Sequence, residues 1–251
     1  MLKTKRVKRL ELIDTIRGLT LISMIVYHFV WDMVYLYGAE WTWFEDSTHW
    51  QQSICQTFVI LSGFSFSLGR RHLQRALMVF GGGILVSLAT IIFLPSSRVL
   101  FGILTLLGTA MLIMIPLKNP LKKVPPFIGA VVSLALFIFT KNCCYGFVGF
   151  GNFKIALPTW LYQNYFTAFL GFPQEGFYSM DYFPLLPWFF LFVFGFFLYH
   201  FLEIWNLNKK LFSKGKVPVV SFLGRRSLLI YLIHQPIIYG ICEAINFLAK
   251  G

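Results

Sequence analysis

A chain of 251 residues that is 57% hydrophobic, 19% aromatic and only 13% charged, with a mean hydropathy of +0.69, has too few polar residues to clothe a soluble core. It reads as an all-α protein, a polytopic bundle of transmembrane helices. The 22 Lys and Arg against 10 Asp and Glu leave a net charge of +12, but these cations cluster in short loops between apolar runs, so they mark membrane topology and not a nucleic-acid partner.

In chain order, apolar runs predict seven spans near 10 to 37, 50 to 68, 76 to 94, 99 to 117, 125 to 140, 183 to 203 and 222 to 247. A helix needs about 17 to 25 residues to cross a bilayer, so the fifth is short. The segment MLKTKRVKR before the first run resembles the start of a signal peptide, yet the run behind it is too long and is interrupted by Asp14 and Arg17, which predicts an uncleaved signal anchor. Seventeen cations fall on one side: Lys3, Lys5, Arg6, Lys8 and Arg9, then Arg70, Arg71 and Arg75, then Lys118, Lys122 and Lys123, then Lys209, Lys210, Lys214 and Lys216, then Arg225 and Arg226. Arg98, Lys141, Lys154 and Lys250 fall on the other. This bias puts the N-terminus in the cytoplasm and the C-terminus outside, in a multi-pass protein of the cell membrane. An eighth span at 154 to 172 would reverse the sidedness of the lysines from 209 to 216, so residues 141–182 are expected to form an external loop with a short or re-entrant helix, within a single domain over 1–251.

The first span carries Asp14, Arg17, His28 and Asp32. At about 100° per residue and with Asp14 at zero, Arg17 falls near 300°, His28 near 320° and Asp32 near 0°, so the four share one face. Each ionisable group inside a bilayer costs roughly 2.5 to 3.5 kcal/mol, and such groups usually face a protein interior and mark a pathway or reactive site. Asp14 and Arg17, three apart, are expected to form a structural pair, and His28 and Asp32, four apart, a second one. A carboxylate holding one imidazole nitrogen leaves the other as a general base, which is the functional reading of the second pair; a satisfied polar histidine is the structural one.

The last span, GRRSLLIYLIHQPIIYGI, opens with Arg225, Arg226 and Ser227 and holds His234 and Gln235 just before Pro236, which frees a carbonyl and permits a kink. The two arginines either anchor topology or bind phosphate. His49 and Trp50 before the second span and Asp181 and Tyr182 before the sixth sit at levels where aromatic residues anchor the interface; they could equally form a sugar-stacking rim. Glycines 81 to 83, and Gly63 with Ser67, are expected to allow close helix packing. His72 and His200 are read as interface residues, Cys55 and Cys242 as small apolar residues, and Cys143 and Cys144, adjacent to each other, are given no role. No metal-binding, nucleophile-elbow or phosphate-loop motif occurs, so no metal is expected.

The run LIDTIRGLTLISMIVYHF resembles the opening helix of membrane acyltransferases of the family-three type, whose signature is an Arg, ten residues, then a His; Arg17 and His28 fit it. With RLELIDTIRG, FVILSGFSFSLGRR, FGILTLLGTAMLI, DYFPLLPWFFLFVFGFFL and GRRSLLIYLIHQP, the chain resembles bacterial proteins related to the catalytic domain of heparan-alpha-glucosaminide N-acetyltransferase. That resemblance implies transfer of an acyl group, typically acetyl, from cytoplasmic acyl-coenzyme A to an amine or hydroxyl, often on a sugar or glycolipid, at the other face. It implies a catalytic His28 and a donor-site Arg17. The two lie about 16 Å apart along one helix face, so a pantetheine arm could keep its phosphates near Arg17, Arg70, Arg71, Arg225, Arg226 and Ser227 and present its thioester at His28. In this scheme Asp32 orients His28, and His234 and Gln235 stabilise the oxyanion. A proton-coupled transporter or a lipid or sugar flippase competes, since His and carboxylate stripes also relay protons, but no two related halves are visible. A third alternative is a non-catalytic scaffold. Membrane lipids are the expected surroundings, and a homodimer is compatible with all three readings.

Overall fold

The computed structural model describes residues 10–44, 46–207 and 217–250. Nine helices are described: α1 Glu11–Tyr35, α2 Thr48–Phe66, α3 His72–Phe93, α4 Ile103–Leu121, α5 Pro126–Thr140, α6 Tyr165–Leu170, α7 Leu185–Ile204, α8 Pro218–Arg225 and α9 Ser227–Lys250. A hairpin of β1 Phe147–Phe150 and β2 Phe153–Ala156 lies between α5 and α6, with Phe147 opposite Ala156 and Phe150 opposite Phe153. Its turn places Gly151 at φ +57°, which a glycine at the first turn position adopts without strain.

Among the described residues six helices have the length and apolarity to cross a membrane: α1, α3, α4, α5 with the turn after it to Tyr145, α7 and α9. The chain is therefore an all-α polytopic membrane protein, because inside a bilayer a helix alone satisfies its own backbone. The second expected span, 50 to 68, forms the 19-residue helix α2 but is not apolar enough to count by that measure, since its first half carries Gln51, Gln52, Ser53, Gln56 and Thr57. The last expected span, 222 to 247, is broken. Arg226 leaves helical geometry at φ −103°, ψ 15°, so α8 ends at Arg225 and α9 starts afresh at Ser227. A break there lets two adjacent guanidinium groups stay exposed and away from an apolar helix interior. The 154 to 172 segment holds a strand, a short turn and the six-residue α6, and no spanning helix. The cations expected at 3 to 9 and 209 to 216 lie outside the described residues.

The chain divides into two compact units. One unites the chain up to Phe58 with the chain from Asn206 onward, and the other is Val59–Trp205. In the second unit, packing relies on backbone approach at glycine. A Cβ on Gly63 would lie 1.9 Å from the Phe192 carbonyl oxygen and one on Gly195 2.2 Å from that of Ile60, so α2 and α7 meet backbone to backbone. Gly83 lies against Thr105, and Gly108 against Phe80, in the same reciprocal manner between α3 and α4. Close approach of this kind matters because lipid is as apolar as the side chains it replaces, so contact and not water exclusion holds the helices together. Gly81, expected to share this role, faces open space.

In the first unit, α1 packs against α8 and α9. A core of Leu21, Met24, Tyr27, Val30, Phe44 and Ile54 fills the face of α1 toward its C-terminal end, with Trp50 and Tyr231 packed against it.

Candidate functional site

The N-terminal end of α1 carries the expected ion pair. Arg17 Nη1 donates to Asp14 Oδ1 at 3.3 Å, three residues away on the same face. Beside it α8 comes as close as two backbones can. A Cβ on Gly224 would sit 1.9 Å from the Asp14 carbonyl oxygen, and one on Gly18 2.0 Å from that of Val220. Thr15 Oγ1 donates to the Glu11 carbonyl, so the Ser221 hydroxyl donates to Thr15 across the same contact, at 2.7 Å and fully buried. Arg225 and Arg226 follow directly on this contact and are exposed; their guanidinium carbons lie 5.9 and 6.0 Å from the Phe222 ring. Tertiary packing thus brings both arginines, and Ser227 behind them, to the Asp14–Arg17 end of α1. Arg70 and Arg71 are exposed and belong to the other unit.

Farther along α1, His28 meets His234 of α9, with ring centroids 5.0 Å apart. The edge of His28 rests on Tyr27, whose ring meets Trp50 edge-on at 5.3 Å. Asp32 is wholly buried, and both of its oxygens accept from Gln235 Nε2, at 3.0 and 2.9 Å. The expected His28–Asp32 pair is therefore not made: among the described residues no hydrogen bond joins the two. A desolvated carboxylate needs donors aimed at its oxygens, and the amide from α9 reaches both where the imidazole one turn away reaches neither.

His234 is buried, and its Nδ1 meets the Tyr231 carbonyl oxygen at 2.5 Å. A carbonyl only accepts, so Nδ1 carries the hydrogen, and in the neutral ring Nε2 is an acceptor. That Nε2 and the Gln235 Oε1 are both buried and have no hydrogen-bond partner among the described residues. An oxyanion, the expected ligand of His234 and Gln235, calls for donors, whereas these two atoms are acceptors in the neutral ring and amide.

The remaining candidates are held by neighbours. Trp50 Nε1 donates to Ser23 at 2.8 Å, bracing α2 on α1, and His49 is exposed. Asp181 Oδ2 accepts from the Ile103 backbone at 3.4 Å, at the start of α4. Tyr182 donates to the Ala168 carbonyl, and burial raises its phenol above the usual tyrosine range. No group of three or more His, Cys, Asp or Glu residues placed to hold a metal occurs among the described residues.

Sequence reasoning missed the Thr15–Ser221 and Gly18–Gly224 contacts. A signal existed: Thr15 with Gly18, and Ser221 with Gly224, each place two small residues three apart on one helix face.

This membrane protein thus buries a carboxylate–amide pair beside two facing imidazoles, the kind of costly polar cluster that marks a candidate functional site. The family profile described as heparan-alpha-glucosaminide N-acetyltransferase, catalytic, matches residues 9–236, and the chain belongs to that family. It is accordingly an enzyme, a membrane-bound acyltransferase. No curated protein and no solved structure matches it.

Proposed function

We propose that the protein moves an acyl group, acetyl in the first instance, from cytoplasmic acyl-coenzyme A to an amino sugar or another amine or hydroxyl acceptor at the outer face of the cell membrane. The observation that supports this most is the His28–His234 pair, 5.0 Å between rings, formed between α9 and α1, the helix that carries Arg17 near its start. Arg17, Arg225, Arg226 and Ser227 form the donor end, where guanidinium groups suit the diphosphate of coenzyme A. His28 lies about 16 Å along the same helix, within the reach of a pantetheine arm, and serves there as general base toward the acceptor or as transient acyl carrier. Asp32, through Gln235, locks α9 onto α1 at the level of the two histidines.

Membranes containing the protein, mixed with labelled acetyl-coenzyme A and glucosamine, are expected to form labelled N-acetyl product, and His28→Ala is expected to abolish it. Full activity in His28→Ala refutes the assignment. Movement of substrate into vesicles without an acyl donor, driven by a proton gradient, favours a transporter instead.

A further inference from the structure

Resting on the acyltransferase reading above, the structure assigns the general base for the acceptor to His234: we infer that its Nε2 takes the proton of the attacking amine or hydroxyl, while Gln235 Oε1 accepts the second hydrogen of an attacking amine.

Four observations converge on this role. His234 is 7% exposed, so its open nitrogen is not a surface feature. Its tautomer is set by the Tyr231 carbonyl, which takes the Nδ1 hydrogen and leaves a lone pair on Nε2. Among the described residues that lone pair has no partner, and neither has Gln235 Oε1, whose amide is turned the other way by its two bonds to Asp32. Finally, His234 faces His28. A buried acceptor left unpaired costs roughly 1 to 3 kcal/mol, and two on adjacent residues imply a ligand that brings donors. A nucleophile with N–H or O–H hydrogens supplies them. An oxyanion, which has none, is repelled.

The step balances without another reagent. The acceptor's lone pair forms the new bond to the acyl carbon, its proton passes to His234 Nε2, the carbon–sulfur bond breaks, and the coenzyme A thiolate leaves with that bond pair. The imidazolium then returns the proton to the thiolate. Positive charge on His234 during the step is held by the Tyr231 carbonyl, as a backbone oxygen in place of a carboxylate. The base's role thus passes from His28 to His234, and His28 stands beside the thioester as the neighbouring ring.

The test uses the full-length protein in detergent with acetyl-coenzyme A and two acceptors, glucosamine and hydroxylamine. After attack, hydroxylamine yields an adduct acidic enough to shed its proton to water, so it depends little on a base. His234→Asn keeps an N–H where Nδ1 donates to Tyr231 and removes Nε2. Transfer to glucosamine is expected to fall by about 10²- to 10⁴-fold, the usual worth of a positioned base. Transfer to hydroxylamine should fall less than about tenfold, which also shows the variant folded and donor-competent. Equal loss with both acceptors overturns the proposal, since a structural or oxyanion role affects both alike. If His234→Asn does not fold, the wild-type protein decides: a solvent deuterium isotope effect with glucosamine but none with hydroxylamine upholds the base, and equal effects overturn it. Wild-type protein that transfers acetyl to neither acceptor fails at the acyltransferase reading itself, and the assignment of His234 falls with it.

Discussion

Replacing Gly224 with Ala should push α8 off α1 and unseat the donor end of the molecule. The added Cβ would lie 1.9 Å from the Asp14 carbonyl oxygen, where ordinary contact begins near 3.4 Å, so the helices must separate by about 1.5 Å, the difference between the two. The obstruction is backbone on both sides, with no flexible side chain to swing away. The same movement would stretch the 2.7 Å Ser221–Thr15 bond beyond hydrogen-bonding range and orphan the buried Ser221 hydroxyl. Overpacking costs about 1 to 3 kcal/mol and the orphaned hydroxyl about 1 to 3 more, so the loss should be about 2 to 6 kcal/mol. Thermal unfolding in detergent reads it. Gly240→Ala in α9 is the control, because nothing lies within 4 Å of its Cβ position and alanine in a helix gains up to about 1 kcal/mol over glycine. A Gly224→Ala protein that melts with the wild type, or a Gly240→Ala protein that melts as early as Gly224→Ala, would refute the close-contact account.

Two further outcomes test the ends of the site. Exchanging Arg225 and Arg226 together for Gln removes charge-assisted hydrogen bonds worth roughly 1.5 to 3 kcal/mol each, so calorimetry should show donor affinity at least about tenfold weaker; unchanged affinity returns both to topology. Asp32→Asn sets a donor against the Gln235 amide and should lower turnover sharply while donor affinity holds, because the loss falls on the reactive step. Adding Gln235→Glu restores an acceptor opposite the new donor, so the double variant should recover by about 1 kcal/mol or more in a double-mutant cycle, whereas additive losses would show that the two residues do not act as a pair.

Composition and hydropathy alone made this a bundle of membrane helices, since a bilayer admits only structures that satisfy their own backbone and every run of sufficient length must be helical. The i, i+3 spacing of Asp14 and Arg17 also sufficed for their ion pair, because both partners lie on one helix and geometry within a helix is fixed by its pitch. The same rule failed for His28 and Asp32. Spacing says which residues can meet along one helix; it does not say which donor on another helix competes for a buried carboxylate, and the amide of Gln235, 203 residues later in the chain, won. The break at Arg226 escaped the hydropathy pattern for a related reason, as α8 takes its course from the Gly18–Gly224 approach, a contact between residues far apart in sequence. The order of residues thus determined the solvent this chain lives in, the helices it forms and the polar stripe it must bury. Only the tertiary structure decided how that stripe is satisfied, because hydrogen-bond partners are chosen by distance and direction across packed helices, and among the described residues it leaves two acceptors on α9 without a partner.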